Sequence, residues 1–292
     1  TIAFSPRGAL VQPKSEAAAG KREGIDRQRA ESFNRNAALY DAHRPGYPDD
    51  LYLELQRLTG VNENSVVIEI GAGSGIATEQ MYHHWHATIY ALEPGAALLA
   101  QAQKRVGHIP AIHLVHSSFE DYTTAVPCDL IAAATSFHWV EPAVKFARIG
   151  KLLNPGGFLA AWWSNFSRND TPVFDAIRAI YAQYHPEPEL NDDLRGLQGQ
   201  RVAERRSEFE QAPGLSFHAH REFHCTRSFT ADAYIGLLRT FSTNACHPEE
   251  HMALFYERIA ALIHAQGNRL DVPFMVNLEV ARKDVSPQRS GE

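Results

Sequence analysis

The sequence predicts an α/β protein built on a doubly wound, mostly parallel sheet, and three observations carry that expectation. Short apolar runs rich in Val, Ile, Leu and Ala recur between Val66 and Trp163 and alternate with segments of helical periodicity, as in parallel sheets whose strands are buried on both faces. The first run, Val66 to Ile70, breaks into Gly71-Ala72-Gly73-Ser74-Gly75 and resumes as a helix to about Trp85. A late segment, Asp271 to Arg282, alternates apolar and polar residues and adds a final strand.

The stretch from Ser65 to Glu93 organises the rest. The glycines let the chain turn tightly and let a ligand touch the backbone. The helix that starts there presents unpaired N–H groups above the carboxyl ends of the strands, where open α/β sheets bind ligands. A dinucleotide fingerprint needs its third glycine three residues after the second, but position 76 is Ile76 and the third glycine is Gly75. The spacing therefore weakens the NAD reading.

The pattern present is Glu69-x-Gly71-x-Gly73-x-Gly75, with a second acid, Glu93, at the tip of the next strand. In these residues the chain resembles the class I S-adenosylmethionine (SAM) dependent methyltransferases. The resemblance implies a seven-stranded Rossmann-like sheet with a helical cap and an N-terminal lid. It implies that the Gly71–Gly75 loop wraps the methionine part of SAM, that Glu69 helps hold it, and that Glu93, with Pro94 beside it, accepts hydrogen bonds from both ribose hydroxyls. An ionised carboxylate offers two acceptor oxygens for that task, and it would repel a 2′-phosphate, which argues against NADP. Two other classes stay open: a protein in which bound SAM is structural or assists another reaction, and an NAD-dependent oxidoreductase.

With 292 residues and 44% hydrophobic content the chain can bury a full core. A net charge of −6 gives no general attraction to nucleic acid. Cys128, Cys225 and Cys246 are odd in number and far apart, without a C-x-x-C pair, and read as reduced thiols. No apolar run approaches a membrane span, and the first residues lack the basic-then-apolar order of a signal peptide. A cytoplasmic protein without membrane or nucleic-acid partners is expected.

In chain order, residues 1–24 lack sustained apolar periodicity and read as a mobile arm, either solvated or ordered against a partner subunit in a homo-oligomer or over a bound substrate. Residues 25–60 form the N-terminal lid. Its helix ends in His43-Arg44-Pro45-Gly46-Tyr47-Pro48, where the prolines stop it. The form Tyr-Asp-x-x-Arg-Pro-x-Tyr-Pro resembles the lead-in of the trans-aconitate methyltransferase-like subfamily. That resemblance places Tyr40 and Arg44 near the methionine end of SAM and Tyr47 nearby. Arg44 would pair with the SAM carboxylate, and the ring of Tyr40, a candidate catalytic residue as well as a cofactor contact, would face the sulfonium.

Residues 61–163 form the expected SAM-binding core. A helix over Pro94–Val106 and a strand over Ile112–Val115 lead to Ser117-Ser118-Phe119-Glu120-Asp121. In many relatives an acid in this loop receives the adenine amino group; Ser118 takes its place here, with Phe119 beside the purine. After the strand Cys128–Ala134 comes Thr135-Ser136-Phe137-His138-Trp139, whose Phe-His-Trp again resembles the trans-aconitate-like subfamily and borders the transferable methyl group. Thr135 and His138 are therefore candidate cofactor contacts. His138, with an ordinary pKa near 6.5, is either a general base or a simple hydrogen-bond partner of SAM or the lid. The second role is the favoured one, because aligning nucleophile, methyl and sulfur supplies much of the catalysis. Asn154-Pro155-Gly156-Gly157 turns into the strand Phe158–Trp163. Tyr47, Trp139, Trp162 and Trp163 are candidate walls of an acceptor pocket, against the alternative that the tryptophans are core.

Residues 164–215 read as the substrate cap, with a helix over Pro172–Tyr184 and a charged stretch, Gln200–Arg206, that reads as a solvated helix face. Residues 216–283 supply the strands and helices that complete the sheet, and 284–292 a tail. His83, His84, His86, His113 and His116 lack a matched carboxylate pair, so no metal is expected.

Overall fold

A computed structural model describes residues 34, 36–167, 169–184, 198–245 and 247–285. The expected arm, the first part of the lid, the loop after Tyr184, Cys246 and the end of the tail lie outside the described residues.

The elements in order are α1 (Ala37–His43), α2 (Asp49–Thr59), β1 (Val66–Ile70), α3 (Ile76–Trp85), β2 (Thr88–Leu92), α4 (Ala96–Val106), β3 (Ile112–Val115), β4 (Cys128–Ala134), α5 (Lys145–Leu152), β5 (Leu153–Phe166), α6 (Pro172–Tyr184), α7 (Gln198–Glu210), β6 (Leu215–Phe229), α8 (Ala231–Arg239), α9 (Ser242–Ala245), α10 (Glu249–Ala265) and β7 (Leu270–Lys283). The strands form one seven-stranded sheet in the order β3-β2-β1-β4-β5-β7-β6. Strands β1 to β5 are parallel, and β7 runs antiparallel to both β5 and β6. The expected doubly wound sheet is therefore present, and its strand order reverses between β1 and β4. Ligands of open α/β sheets bind at such a reversal, outside the carboxyl ends of the strands.

Alternation along the strands builds two cores. On one face Leu51, Tyr52, Met81, Trp85 and Trp162 are buried together; on the other, Ile68, Phe119, Phe137, Trp163 and Phe209. A third cluster lies beyond them. Phe174, Ile177 and Tyr181 of α6 pack with Leu237 of α8, Phe255 and Ile259 of α10, and Val272 and Phe274 of β7.

This third cluster redraws the expected boundary at residue 215. Helix α7, assigned to the cap, returns to the sheet because Phe209 and Ala212 bury in the second core. Helices α8 and α10, assigned to completing the sheet, join α6 instead. Among the described residues no helix is long and apolar enough to cross a membrane.

Helix α1 lies between core and cap. Its Asp41 accepts from Arg105 of α4 at 2.7 Å, and the His43 ring lies so close to Gly236 of α8 that a Cβ there would approach Nδ1 to 2.3 Å. The two prolines end α1 and carry the chain on to α2.

Candidate functional site

The glycine turn sits at the strand-order reversal. Gly71, Gly73 and Gly75 have φ of +65°, +60° and +83°, a region that other L-residues enter only with strain. A Cβ on Gly71 would fall 2.8 Å from the Cβ of Ser136, whose hydroxyl donates to the Ile70 carbonyl. Gly75 packs against Ala102 of α4. Gly73 is different. A Cβ there would meet nothing nearer than the Tyr40 ring at 3.8 Å, so the loop is open on its lid side.

Glu93 faces this loop. The N–H of Gly73 donates to its Oε2 at 2.8 Å and the N–H of Gly95 to its Oε1 at 2.7 Å. Burial raises the Glu93 pKa, and the two N–H bonds and His116 oppose that rise. Each carboxylate oxygen has a second lone pair, so the oxygens that hold the loop can still accept a ligand's hydroxyls.

Beneath the loop lies Glu69, fully buried on β1. Thr78 of α3 donates to its Oε2 at 2.5 Å. Its Oε1 has no partner among the described residues, and neither does the buried Ser74 hydroxyl. Buried polar atoms are nearly always satisfied, so these two atoms around one loop are open to a water or a polar ligand. Desolvation moves the Glu69 pKa up to about 7, with Thr78 opposing and the Glu93 charge adding to the rise.

The segment 37–48 brings three of the expected residues to this place. Tyr40 stands over Gly73. The Arg44 guanidinium lies 5.2 Å from the Tyr40 ring centre and 4.8 Å from that of Phe241, and donates to the Thr240 carbonyl at 3.2 Å. Its buried Nε has no partner among the described residues. The Tyr47 hydroxyl is 2.9 Å from Thr135 Oγ1. Burial, more than any neighbouring charge, raises the Tyr47 pKa, so the phenol stays neutral. Asn34 also reaches the site, where its Oδ1 caps α4 by accepting from the Ala97 N–H at 2.8 Å.

At the end of β4, Thr135 has a φ of +56° and its N–H is held by the Trp162 carbonyl at 2.7 Å. His138 follows on a single 3₁₀ turn. Its Nδ1 accepts from Trp163 Nε1–H at 3.2 Å. Desolvation first, then the charges of Arg205, Lys145 and Arg201, lower its pKa to about 3. The residue keeps an exposed surface, and its ring is neutral at physiological pH. With Nδ1 occupied as acceptor, its proton sits on Nε2. Such a ring offers a donor and has no lone pair free for a general base.

Three expected contacts are placed elsewhere and a fourth is partly engaged. The Ser118 hydroxyl donates to Asp121 Oδ2 at 2.8 Å and accepts from the Asp121 N–H at 3.1 Å, so the local turn uses its proton and one lone pair and leaves the other as an acceptor. Phe119 is buried in the second core beneath Arg148, with no face left for a purine. Trp162 and Trp163 are also core: Trp162 takes the edges of Tyr47 and Tyr52, and Trp163 lies under the Arg205 guanidinium at 4.4 Å. Strand alternation sends the two indoles to opposite faces of the sheet, so they cannot wall one pocket. Trp139 is the exposed member of the set. Among the described residues no group of His, Cys, Asp and Glu could hold a metal ion.

Thr78 and Gln80 of α3 were not anticipated. The available signal was a β-branched Thr and an uncharged Gln in the helix that follows the glycine turn, where the intervening Glu79 is the solvated type. Arg205 was read only as part of a solvated face.

Residues 68–161 match the family model described as a methyltransferase domain. An uncharacterised methyltransferase of Schizosaccharomyces pombe is 31% identical over 148 residues, 48% of this chain and 55% of that protein. The chain spans little more than half the length of the curated relatives it matches. A methyltransferase structure from Anaeromyxobacter dehalogenans superposes with a TM-score of 0.62 at 20% identity, over 84% of this chain and 99% of that one. A SAM-dependent methyltransferase from Thiobacillus denitrificans, solved with S-adenosyl-L-homocysteine, gives 0.51 at 15% identity, over 85% and 97%. At these identities the two structures speak for the fold alone. Sequence and fold agree: residues 68–161 match a methyltransferase domain, set in a chain that shares the fold of these structures.

Proposed function

We propose that the chain binds SAM in the crevice above β1 and β4 and transfers its methyl group to a small-molecule acceptor. The observation that carries this reading is Glu93, whose two oxygens fasten Gly73 and Gly95 while each keeps a lone pair facing the loop. When bound, SAM supplies an electrophilic methyl group on a cationic sulfur. The residues fit it: Glu93 accepts the ribose hydroxyls, the Gly71–Gly73 backbone lies against the methionine portion, and Glu69 Oε1 and Ser74 Oγ gain partners. Arg44, a half-buried cation with no carboxylate partner among the described residues, pairs with the methionine carboxylate or with an acidic acceptor. The Tyr40 ring covers the loop where the sulfonium would lie. His138 donates from Nε2, and Trp139 offers an aromatic face to the acceptor.

The chain would then work by holding and aligning its reactants, with the residue 37–48 segment as lid and α6, α8 and α10 as cap. Calorimetric titration with SAM, S-adenosylhomocysteine and NADH in parallel tests the cofactor. Binding of the first two without NADH supports the reading; NADH binding in place of SAM removes it. Transfer of labelled methyl to a panel of carboxylate and apolar compounds then tests the activity, and separates an enzyme from a protein in which SAM is only structural.

A further inference from the structure

Gly46 and Tyr47 join the lid to the site, and their peptide groups are gripped from two sides. From the core, Gln80 of α3 accepts the Tyr47 N–H at Oε1, 3.0 Å away, and donates from Nε2 to the Tyr47 carbonyl at 2.8 Å. The same Oε1 accepts the Tyr52 hydroxyl at 3.2 Å. From the antiparallel half of the sheet, Arg227 of β6 donates to the Gly46 carbonyl at 2.6 Å. A Cβ on Gly46 would lie 2.6 Å from Gln80 Oε1, so only glycine lets the peptide settle on the amide this closely.

The far end of Tyr47 is where this grip is felt. Its ring meets Trp162 edge-on, with centres 5.9 Å apart, and its hydroxyl reaches Thr135. Thr135 is itself held at a positive φ beside the end of β4. A side chain carried by a fixed backbone and stopped by a rigid wall has one position. Helix α3 therefore serves the site twice: Thr78 orients the buried Glu69 carboxylate under the loop, and Gln80 fixes the lid above it.

We infer that Gln80 is a positioning residue for the ligand site. Its amide holds the Tyr47 backbone, and through the phenol it sets the Thr135 side of the crevice and the residence time of the bound cofactor. A primary amide suits the task because it offers one acceptor and one donor in a plane, matching the N–H and C=O of a single residue. A carboxylate lacks the donor, and a thioether lacks both functions at useful strength. The inference rests on the SAM reading above.

The test uses Gln80→Met, which keeps the bulk against Gly46 and removes all three bonds, and Gln80→Glu, which keeps the two accepted bonds. Three quantities are measured in the full chain: S-adenosylhomocysteine dissociation by stopped flow, hydrogen exchange of the Tyr47 amide, and the ligand-free thermal midpoint. In Gln80→Met the Tyr47 amide exchanges faster and dissociation accelerates by about tenfold, which corresponds to about 1.4 kcal/mol of lost coupling between the Tyr47 position and the ligand. Gln80→Glu falls between that variant and the parent, and the ligand-free midpoint falls in the same order, because the three bonds are made without the ligand. A purely structural role would move the midpoint and the exchange without a separate effect on dissociation. Unchanged dissociation in both variants overturns the proposal, as does faster dissociation with the Tyr47 amide still protected. If the parent chain itself binds no S-adenosylhomocysteine, the cofactor reading falls and takes this role with it, an outcome distinct from failure in the variants alone.

Discussion

The indole N–H of Trp163 donates to Nδ1 of His138 across 3.2 Å, which fixes the imidazole as a neutral ring with its proton on Nε2. The His138→Ala variant should therefore weaken SAM or acceptor binding while methyl transfer at saturation stays within a few-fold of the parent. A loss of about a hundredfold or more, the lower bound for general acid–base catalysis, would restore the general base.

The same ring has a pH signature. Its folded pKa, lowered to about 3 by burial and by Arg205, Lys145 and Arg201, lies below the ordinary value near 6.5. Between those values the unfolded chain binds more protons, so this contribution to stability is complete above pH 6.5 and is lost as pH falls towards 3. Thermal midpoints of the parent and His138→Asn should diverge only within that window.

Glu69 behaves in the opposite sense. Burial lifts its pKa to about 7, above the unfolded value, so stability declines as pH rises from about 4.3 through 7. Glu69→Gln should raise the ligand-free midpoint at pH 8 and flatten its pH dependence, by about 2–4 °C for each kcal/mol relieved. A cationic sulfonium near Glu69 would also favour the ionised form. SAM affinity should then rise through pH 7 more steeply than that of uncharged S-adenosylhomocysteine, which calorimetry across pH can compare.

Glu93→Ala removes the acceptor of two backbone N–H groups and the proposed ribose contact. Cofactor affinity should fall by about 2–4 kcal/mol, as for the loss of charge-assisted hydrogen bonds with their partners left unpaired. Unchanged affinity would take Glu93 out of the site.

Gly71→Ala forces a Cβ to 2.8 Å from Ser136 Cβ at a φ of +65°. The left-handed backbone alone costs about 1–2 kcal/mol, and the contact adds to it. Pairing it with Ser136→Gly should recover the contact part of the loss in thermal midpoint and leave the backbone part.

Much of this protein was legible in its sequence because the information is local. An apolar run followed by glycines must turn, and the two acids lie near the ends of adjacent parallel strands, Glu69 paired with Ala91 and Glu93 directly after the last pair, Ile70 with Leu92. The sheet, the glycine turn and the positions of both carboxylates were accordingly readable from neighbouring residues and strand periodicity.

The tertiary structure alone decided which side chains were still free to meet a ligand. Asp121 takes the Ser118 proton and the core takes Phe119. His138 is met by an indole 25 residues away, Tyr47 by an amide 33 away, and Arg44 by a carbonyl 196 away. The boundary between cap and sheet depended likewise on which apolar faces met, with Phe209 turning α7 inward while α6 found α10. The sequence by itself determined the backbone path of the site, because dihedral preference and hydrophobic period act over a few residues. Packing decided its chemistry, because a hydrogen bond between distant residues exists only after the chain has brought them together and excluded water from between them.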